Sequence, residues 1–191
     1  MKIQYLKQPI EDHREQKLVK QAIVGDVEAF AGLYELYVER IYRYTRSRLG
    51  DDQTAEDLTS QVFLNVWQNL DRYQQRGIPF RAWLFRIAHN SVVDHYRLQK
   101  DTASFEEIEA AYTPEAISMD EITHEALEKQ RIRQAMDHLT EEQQQVVRLK
   151  FIGGLNTQET AKLMGKHPGA IRALQMRALQ ALGKILELQN D

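Results

Sequence analysis

The chain contains no cysteine among its 191 residues, and it has only four prolines. Without thiols it cannot form disulfides, thiolate zinc sites or thiol redox switches. No apolar run reaches the length of a membrane span, and no charged-then-apolar signal segment opens the sequence. We therefore expect a cytoplasmic protein without membrane insertion. Its hydrophobic share of 42% and charged share of 28% are ordinary for one globular domain or two small ones.

Signals for β-structure and for several kinds of active site are also missing. No segment alternates polar and apolar residues as a half-buried strand does, and no Asn-Gly hairpin turn occurs. No glycine-rich phosphate loop or nucleophile elbow is present. His89 and His95 do not share a helical face, so a paired metal site is not expected. We predict an all-α protein with no cofactor.

Acidic and basic residues are distributed unevenly, although the formal net charge is only -3. Residues 101–128 carry many acids but neither lysine nor arginine, whereas residues 160–186 carry lysines and arginines but no acid. The acids of the middle segment therefore offset the bases of the C-terminal segment in the net charge. This asymmetry indicates nucleic-acid binding more clearly than the net charge does.

Helical periodicity divides the chain into two small all-α domains, over residues 15–100 and 122–191. Residues 1–14 show no clear period and are interpreted as a tail. Residues 101–121 are acidic, contain Pro114 and have few large apolar side chains, which predicts a flexible linker. Capping and breaking residues predict where the helices begin: Glu15, Asp26, Asp51 or Asp52, Pro79, Thr140 (in a capping box with Gln143), Thr157 and Pro168.

The helix after Pro79 is predicted to have one core face and one polar face. The predicted core stripe comprises Phe80, Trp83, Leu84, Ile87, Ala88 and Leu98. The opposite face carries Arg86, His89, Asn90, Arg97 and Lys100, and the preceding loop carries Tyr73 and Arg76. Basic side chains suit phosphates, asparagine can read a base edge, and an aromatic ring can stack on an unpaired base. The alternative is an amphipathic surface helix with a solvated face.

Residues 157–182 have the layout of a helix-turn-helix, with a tight turn around Gly165. In the second helix Ile171, Leu174, Ala178, Leu182 and Ile185 share one face, and Gly169, Arg172, Ala173, Met176, Arg177 and Gln180 share the other. Small residues allow close approach to a DNA groove, and arginines can bind phosphate or guanine. The alternative is a plain helical hairpin with solvated arginines.

Four acids cluster at the start of the helix near Asp52: Asp51, Asp52, Glu56 and Asp57. Acids are expected at a helix N-terminus because of the helix dipole. The alternative is a set of catalytic carboxylates in an enzyme that acts on RNA or DNA. Trp67 and Trp83 are predicted to belong to the core.

The two patterns together resemble the extracytoplasmic-function sigma factors of bacterial RNA polymerase. In the first domain the resemblance is carried by Gly25-Asp26, Ala55-Glu56-Asp57-Leu58, Val62-Phe63-Leu64, Trp67, and Phe80-Arg-Ala-Trp83-Leu84 with Ile87-Ala88. In the second it is carried by Val146-Val147, Glu159, Met164-Gly165, Gly169-Ala170-Ile171-Arg172 and Arg177-Ala178. It covers nearly all of the chain outside the tail and the linker.

The resemblance implies a fold of a region 2 helical bundle and a region 4 helix-turn-helix, and it implies three surfaces. Residues that would bind the polymerase clamp are Asp57, Gln61, Phe63, Leu64 and Trp67. Residues that would melt and hold the minus-ten element are Tyr73, Arg76, Phe80, Arg86, Asn90 and Arg97. Residues that would read the minus-thirty-five element are Lys166, His167, Gly169, Arg172, Ala173, Met176 and Arg177. The implied partners are core RNA polymerase (the largest-subunit clamp and the flap), promoter DNA and an anti-sigma factor.

The sequence departs from the family pattern at a few of these positions. Ser60-Gln61 replaces a frequent Gln-Glu pair, Ala173 replaces a frequent hydroxyl residue, and His167 stands where a serine or threonine cap is usual. His167 is expected to be a poor cap. The preferred minus-thirty-five sequence is therefore expected to be unusual.

Length adds a constraint on the linker. Two DNA elements about two helical turns apart are separated by roughly 70 Å. A flexible linker of this length averages only about 30 Å from end to end. The free domains should therefore lie too close together to reach both elements unless a third body holds the linker out. A stand-alone helix-turn-helix regulator, which would not need core polymerase, is the competing hypothesis within nucleic-acid binding.

Overall fold

The structure is a computed structural model, and it describes residues 12–73, 78–102 and 124–188. Over these residues the chain is helical and contains no strand, as the sequence predicts. The elements are α1 (Asp12–Ile23), α2 (Val27–Leu49), α3 (Asp52–Asn69), a 3₁₀ turn (Leu70–Arg72), α4 (Phe80–Thr102), α5 (His124–Asp137), α6 (Glu141–Val147), a π turn (Arg148–Ile152), α7 (Thr157–Met164) and α8 (Pro168–Leu188). None of the helices in these ranges is long and apolar enough to cross a bilayer.

Helices α1–α4 form the N-terminal unit of the protein, and helices α5–α8 form the C-terminal unit. The predicted tail and linker lie almost wholly outside the described residues. Helix α1 begins at Asp12, three residues before the predicted start, and α4 continues two residues past the predicted domain boundary.

Side-chain caps set the ends of the helices in the N-terminal unit. Asp26 accepts a hydrogen bond from the backbone N–H of Ala29 at 3.0 Å, so α2 begins where the sequence predicts. Asp51 caps α3 in the same way through the N–H of Thr54 at 2.8 Å. Between them Gly50 takes a left-handed conformation (φ 87°) that a residue with a Cβ rarely adopts.

The core of the N-terminal unit is built where α2, α3 and α4 meet. Its largest fully buried side chains include Tyr37, Tyr44 and Phe85, with Leu33, Ile41 and Leu84 around them. Their helical spacing places them on one stripe of each helix. Leu98, which the sequence assigns to the α4 stripe, is 61% exposed, so the buried stripe of α4 ends before it.

The C-terminal unit confirms one predicted cap and corrects another. Thr140 and Gln143 form the predicted capping box at the start of α6. Helix α7 is capped by Asn156 rather than Thr157, because the Asn156 side chain accepts hydrogen bonds from the backbone N–H groups of Gln158 and Glu159 at 2.9 Å each. His167, expected to be a poor cap, accepts a hydrogen bond from the N–H of Gly169 through Nδ1 at 3.1 Å.

The two units pack against each other. Leu149 and Leu155 of the C-terminal unit are buried in the same hydrophobic cluster as Phe85 of α4. Ile152, Leu163 and Met164 lie partly buried at the edge of that cluster. Apolar burial of this kind stabilises the pairing of the two units.

Candidate nucleic-acid and protein interfaces

The polar face of α4 presents three of the predicted minus-ten residues to solvent. Arg86, Asn90 and Arg97 are all exposed, and their spacing places them on one side of the helix. Arg97 lies 3.3 Å from Asp94, an exposed pair that restrains the guanidinium only weakly. Two cations flanking an amide can bind phosphates on either side of a base edge.

His89 does not belong to this solvent-facing set, although the helical wheel placed it there. Its Nδ1 lies 2.9 Å from Nε2 of Gln145 and 3.2 Å from the hydroxyl of Tyr44. Burial, with a smaller contribution from the nearby charge of Arg48, lowers the pKa of the His89 imidazole. The structure therefore places His89 between the two units.

Tyr73 and Phe80, two of the predicted minus-ten residues, are buried at the end of α3 and the start of α4. Their ring centroids lie 5.7 Å apart in an edge-on arrangement, and Trp83 lies against both. The Tyr73 hydroxyl donates to the carbonyl of Ile78 at 2.8 Å, and burial raises the pKa of Tyr73 to about 12. In this conformation the rings pack against each other and against Trp83, so stacking on a base requires a conformation in which they are exposed. Arg76 lies outside the described residues.

The predicted polymerase-binding helix α3 has an apolar edge at its surface. Leu64 is 48% and Trp67 39% exposed, so Trp67 is not the core residue that the sequence suggested. Phe63 is buried, and its ring centroid lies 4.7 Å from that of the half-exposed Tyr34. Phe63 therefore supports this surface from beneath. Trp67 is held edge-on by Phe30 at 4.7 Å.

The polar rim of this surface consists of Asp57 and Gln61, which are both exposed. Gln53 donates to Asp57 at 3.4 Å, and Gln61 donates to Asn65 at 3.0 Å along the same helix. An apolar centre with a polar rim is the usual composition of a protein–protein interface.

Helices α7 and α8 form the predicted helix-turn-helix. Gly165 takes the left-handed conformation (φ 63°) that ends α7, and His167 and Pro168 begin α8. Ile171, Leu174 and Ala178 are buried, which confirms the predicted inner face of α8. Lys166 forms a 2.6 Å ion pair with Glu142 that fixes the turn against α6.

The outer face of α8 is open to solvent. Arg172, Met176 and Arg177 are exposed, and Gly169 and Ala173 are half-exposed beside them. An open groove of about 530 Å³ runs along this face, lined by Arg172, Gln175, Met176, Leu179 and Gln180. Because residues 160–186 include no acidic side chain, the groove lining carries no charge that repels a phosphate.

The acids at the start of α3 are engaged as caps and ion-pair partners. The pKa of Asp51 is lowered mainly by the hydrogen bond from the N–H of Thr54. The pKa of Asp52 is lowered by hydrogen bonds from Tyr42 and Arg46. Among the described residues, no group of three or more histidine and carboxylate side chains could hold a metal ion. This geometry favours the helix-dipole interpretation over catalytic carboxylates.

Sequence reasoning missed the polar contacts between the two units. Arg81 of α4 binds Glu159 of α7, and His89 of α4 meets Gln145 of α6. A signal was available, since Glu159 stands at the third position of α7, where an acid caps the helix while its second oxygen remains free. Nothing in the sequence pointed to Arg81 as its partner.

Comparison with known proteins agrees with the two-part architecture. Two family models match, "Sigma-70 region 2" over residues 33–102 and "Sigma-70, region 4" over residues 129–182. The chain is 37% identical over 176 residues to the ECF RNA polymerase sigma factor BldN of Streptomyces coelicolor, a match that covers 91% of this chain and 66% of that protein. It is 32% identical over 173 residues to the ECF RNA polymerase sigma factor SigD of Mycobacterium bovis, a match that covers 86% of this chain and 80% of that protein.

A solved structure shows the same fold. The sigma factor RpoE of Bartonella quintana, crystallised with the anti-sigma factor NepR, aligns with a TM-score of 0.68 at 20% identity, covering 84% of this chain and 98% of that one. The family models together match more than half of the chain, and the relatives extend the likeness across both units. The chain therefore belongs to the sigma-70 family, among its extracytoplasmic-function (ECF) members.

Proposed function

We propose that the protein is a promoter-specificity subunit of RNA polymerase and not an enzyme. It binds the core enzyme, opens the minus-ten element and reads the minus-thirty-five element. The observation that carries this proposal is that one chain presents two separate exposed basic surfaces, on α4 and α8, together with the apolar edge of α3. The three surfaces suit single-stranded DNA, duplex DNA and a protein partner respectively.

The α4 surface acts on separated strands. Arg86 and Arg97 bind backbone phosphates, and Asn90 hydrogen-bonds a base that has left the stack. Unstacking a base costs a few kcal/mol, which contacts of this kind offset. Tyr73 and Phe80 are buried, so they join the site only in a conformation that exposes their rings.

The α8 surface reads paired DNA in the major groove. Gly169 and Ala173 allow close approach of the helix to the groove floor, while Arg172 and Arg177 reach guanine or phosphate. Met176 supplies an apolar contact of the kind that thymine methyl groups accept. Lys166 and His167 lie at the turn, beside the first backbone phosphates.

The α3 edge binds core polymerase, with Leu64 and Trp67 at its centre and Asp57 and Gln61 on its rim. Phe63 holds this surface in shape from below. The C-terminal unit contacts the polymerase flap. A protein inhibitor that covers the same apolar edge is expected, since the Bartonella relative was crystallised with an anti-sigma factor.

The DNA-reading part of the proposal is tested by exchanging one arginine. Arg172→Ala should weaken binding to a minus-thirty-five duplex by about 1–3 kcal/mol and relax sequence preference at one position. Lys184→Ala, an exposed cation farther along α8, is the matched control and should change affinity only slightly. A loss that is equal for all sequences would show that Arg172 only holds phosphate.

A stand-alone helix-turn-helix regulator remains the second candidate, because α7 and α8 alone would suffice for one. The discriminating measurement is co-elution of the purified protein with core polymerase. Leu64→Asp should abolish co-elution if the α3 edge is the docking surface, whereas Glu35→Lys, an exposed change on α2, should not. A regulator would fail to co-elute in every version.

A further inference from the structure

The turn between α7 and α8 holds the backbone of Lys166 in a fixed place. The N–H of Lys166 donates to the carbonyl of Ala161 at 2.9 Å, and Gly165 takes the left-handed conformation (φ 63°) that ends α7. This closure satisfies a carbonyl in the last turns of α7. A change in what Lys166 contacts is therefore a change of its side chain and not of the turn.

The first turn of α8 is fixed as well. Nδ1 of His167 accepts the N–H of Gly169 at 3.1 Å, and the carbonyl of His167 accepts the N–H of Ala170 at 2.9 Å. A Cβ atom placed on Gly169 would lie 3.2 Å from Nδ1 of His167, so the imidazole lies closely over that glycine. A helix start favours a DNA phosphate, and a lysine beside it adds a positive charge.

The charge of Lys166 is matched by an acid from α6. Nζ of Lys166 lies 2.6 Å from Oε1 of Glu142, and the two side chains are 29% and 57% exposed. Glu142 stands in the first turn of α6, where the helix dipole favours an acid, and the capping box of Thr140 and Gln143 fixes that turn. The cap of α6 therefore determines where this carboxylate lies.

Packing joins α6 to the DNA-reading helix. Val146 of α6 is fully buried in the same cluster as Ile171 of α8. The start of α6 consequently keeps its place beside the turn before α8. Because residues 160–186 include no acid, Glu142 brings a negative charge from another helix to a segment whose own sequence has none.

We propose that Glu142 is a positioning residue of the minus-thirty-five surface, which holds the ammonium group of Lys166 away from the DNA backbone and lowers the affinity for duplexes of every sequence by the same factor. The inference rests on the proposed function. None of the three binding surfaces described above includes Glu142.

The physical reason lies in how cations bind DNA. Affinity for the backbone comes from lysines and arginines that displace salt ions from the phosphates. A lysine whose counterion is a carboxylate of the same protein contributes little to this exchange. The base contacts of Arg172 on α8 do not depend on it. Glu142 thus reduces the sequence-independent part of binding, and a larger share of the remaining affinity comes from the bases.

The first test removes the charge of Glu142. Glu142→Gln keeps the side-chain length and leaves the capping box intact. Fluorescence anisotropy measures the affinity of the full chain for a labelled pool of random-sequence DNA duplexes, each about 20 base pairs or roughly two helical turns long. The variant should bind about fivefold more tightly at roughly 50 mM salt, and the slope of log K against log salt should steepen by about 0.9, the amount for one further phosphate contact. Equal or weaker binding by the variant would overturn the inference.

A double-variant cycle tests whether Glu142 acts through Lys166. In the wild-type chain Lys166→Met should change the affinity only slightly, because the ammonium group is already paired. In the Glu142→Gln chain the same exchange should remove the gain in affinity and restore the wild-type slope. A gain from Glu142→Gln that is just as large in the Lys166→Met chain would show that Lys166 is not involved, and it would overturn the inference.

Sequence preference separates Glu142 from the residues that read bases. Duplexes selected from the random pool should show the same preferred sequence for wild type and Glu142→Gln, whereas Arg172→Ala changes it. A changed preference in Glu142→Gln would contradict the uniform effect that we propose.

The matched control is Glu187→Gln, at an exposed acid near the end of α8. It removes the same charge about 27 Å along the helix from Gly169, beyond the Debye length of about 10 Å, and should leave Kd and slope unchanged. If neither wild type nor Glu142→Gln binds duplex DNA, the duplex-reading part of the proposed function fails and the inference fails with it. If wild type binds and Glu142→Gln gains nothing, the inference alone fails.

Discussion

The N-terminal and C-terminal units differ in how far each can sustain its own core. The N-terminal unit buries a large aromatic and aliphatic cluster that includes Tyr37, Tyr44 and Phe85. The separate core of the C-terminal unit is smaller: among the described residues its buried cluster comprises Val146, Ala161, Ile171 and Leu174, and the other buried apolar side chains there, Ala135, Leu139 and Ala178, are mostly small. Leu149 and Leu155 pack instead into the core of its neighbour. A small core contributes little net stability, so the C-terminal unit depends on its packing against the N-terminal unit.

The largest effect is expected at the ring that serves both units. Phe85→Ala removes a fully buried side chain that packs edge-on against Tyr44 and touches the backbone at Gly153, so it should lower the free energy of unfolding by about 3–5 kcal/mol. Urea titration followed by circular dichroism provides the measurement. The control is Val93→Ala, at a residue that is 45% exposed on the same helix. It should change the free energy of unfolding by less than about 0.5 kcal/mol. Equal effects would remove the distinction between core and surface.

A cavity in the small core tests the other side of the comparison. Ile171→Ala should lower the free energy of unfolding by an amount near the lower end of about 2–5 kcal/mol. The reason is that a core of few side chains can partly collapse around the cavity. Hydrogen exchange should show α7 and α8 losing protection before α2. Uniform loss of protection in both units would mean that they unfold as one body and that the two cores are not distinct.

Loss of a cap should have a smaller effect. Asn156→Ala removes two hydrogen bonds to the start of α7 and should destabilise the protein by about 1 kcal/mol. Since Glu159 is held by the same capping box, this variant should also weaken the contact between Glu159 and Arg81. Thr157→Ala is the control, and thermal melting of both variants distinguishes the observed cap from the one expected from the sequence.

The smallest expected effect is a dependence on pH through His89. Burial holds the pKa of His89 below the ordinary value near 6.5, so the folded protein favours the neutral ring. The contribution of His89 to the free energy of unfolding is therefore fully present above about pH 6.5. It is lost as the pH falls from there towards the lowered pKa of the folded protein. Arg48 opposes protonation, Glu141 favours it, and Gln145 and Tyr44 contact the ring. The free energy of unfolding should be measured for wild type and His89→Gln between about pH 7.5 and 5.5. It should depend less on pH in the variant.

Local rules predicted most of the fold. Asp26, Asp51, the Thr140 capping box and Pro168 set helix starts that the structure confirms, because caps depend on neighbouring residues only. The two faces of α8 were equally predictable from helical spacing. The missed cap at Asn156 differs by a single residue, since both asparagine and threonine can cap a helix.

Contacts between distant residues could not be predicted. Arg81 and Glu159 are 78 positions apart, and nothing in a single sequence pairs them. The same holds for His89, which the helical wheel placed in solvent and which the C-terminal unit covers. The burial of Tyr73 also depends on tertiary packing, whereas that of Phe80 follows from the predicted core stripe. The role of both at the minus-ten element remains a prediction.

The central claim is that this chain directs RNA polymerase to particular start sites. Run-off transcription with purified core polymerase on a genomic promoter library tests it most directly. We predict that transcripts appear at a defined set of promoters only when the protein is added, and that Arg172→Ala shifts that set. Start sites that are unchanged by the protein would contradict the account.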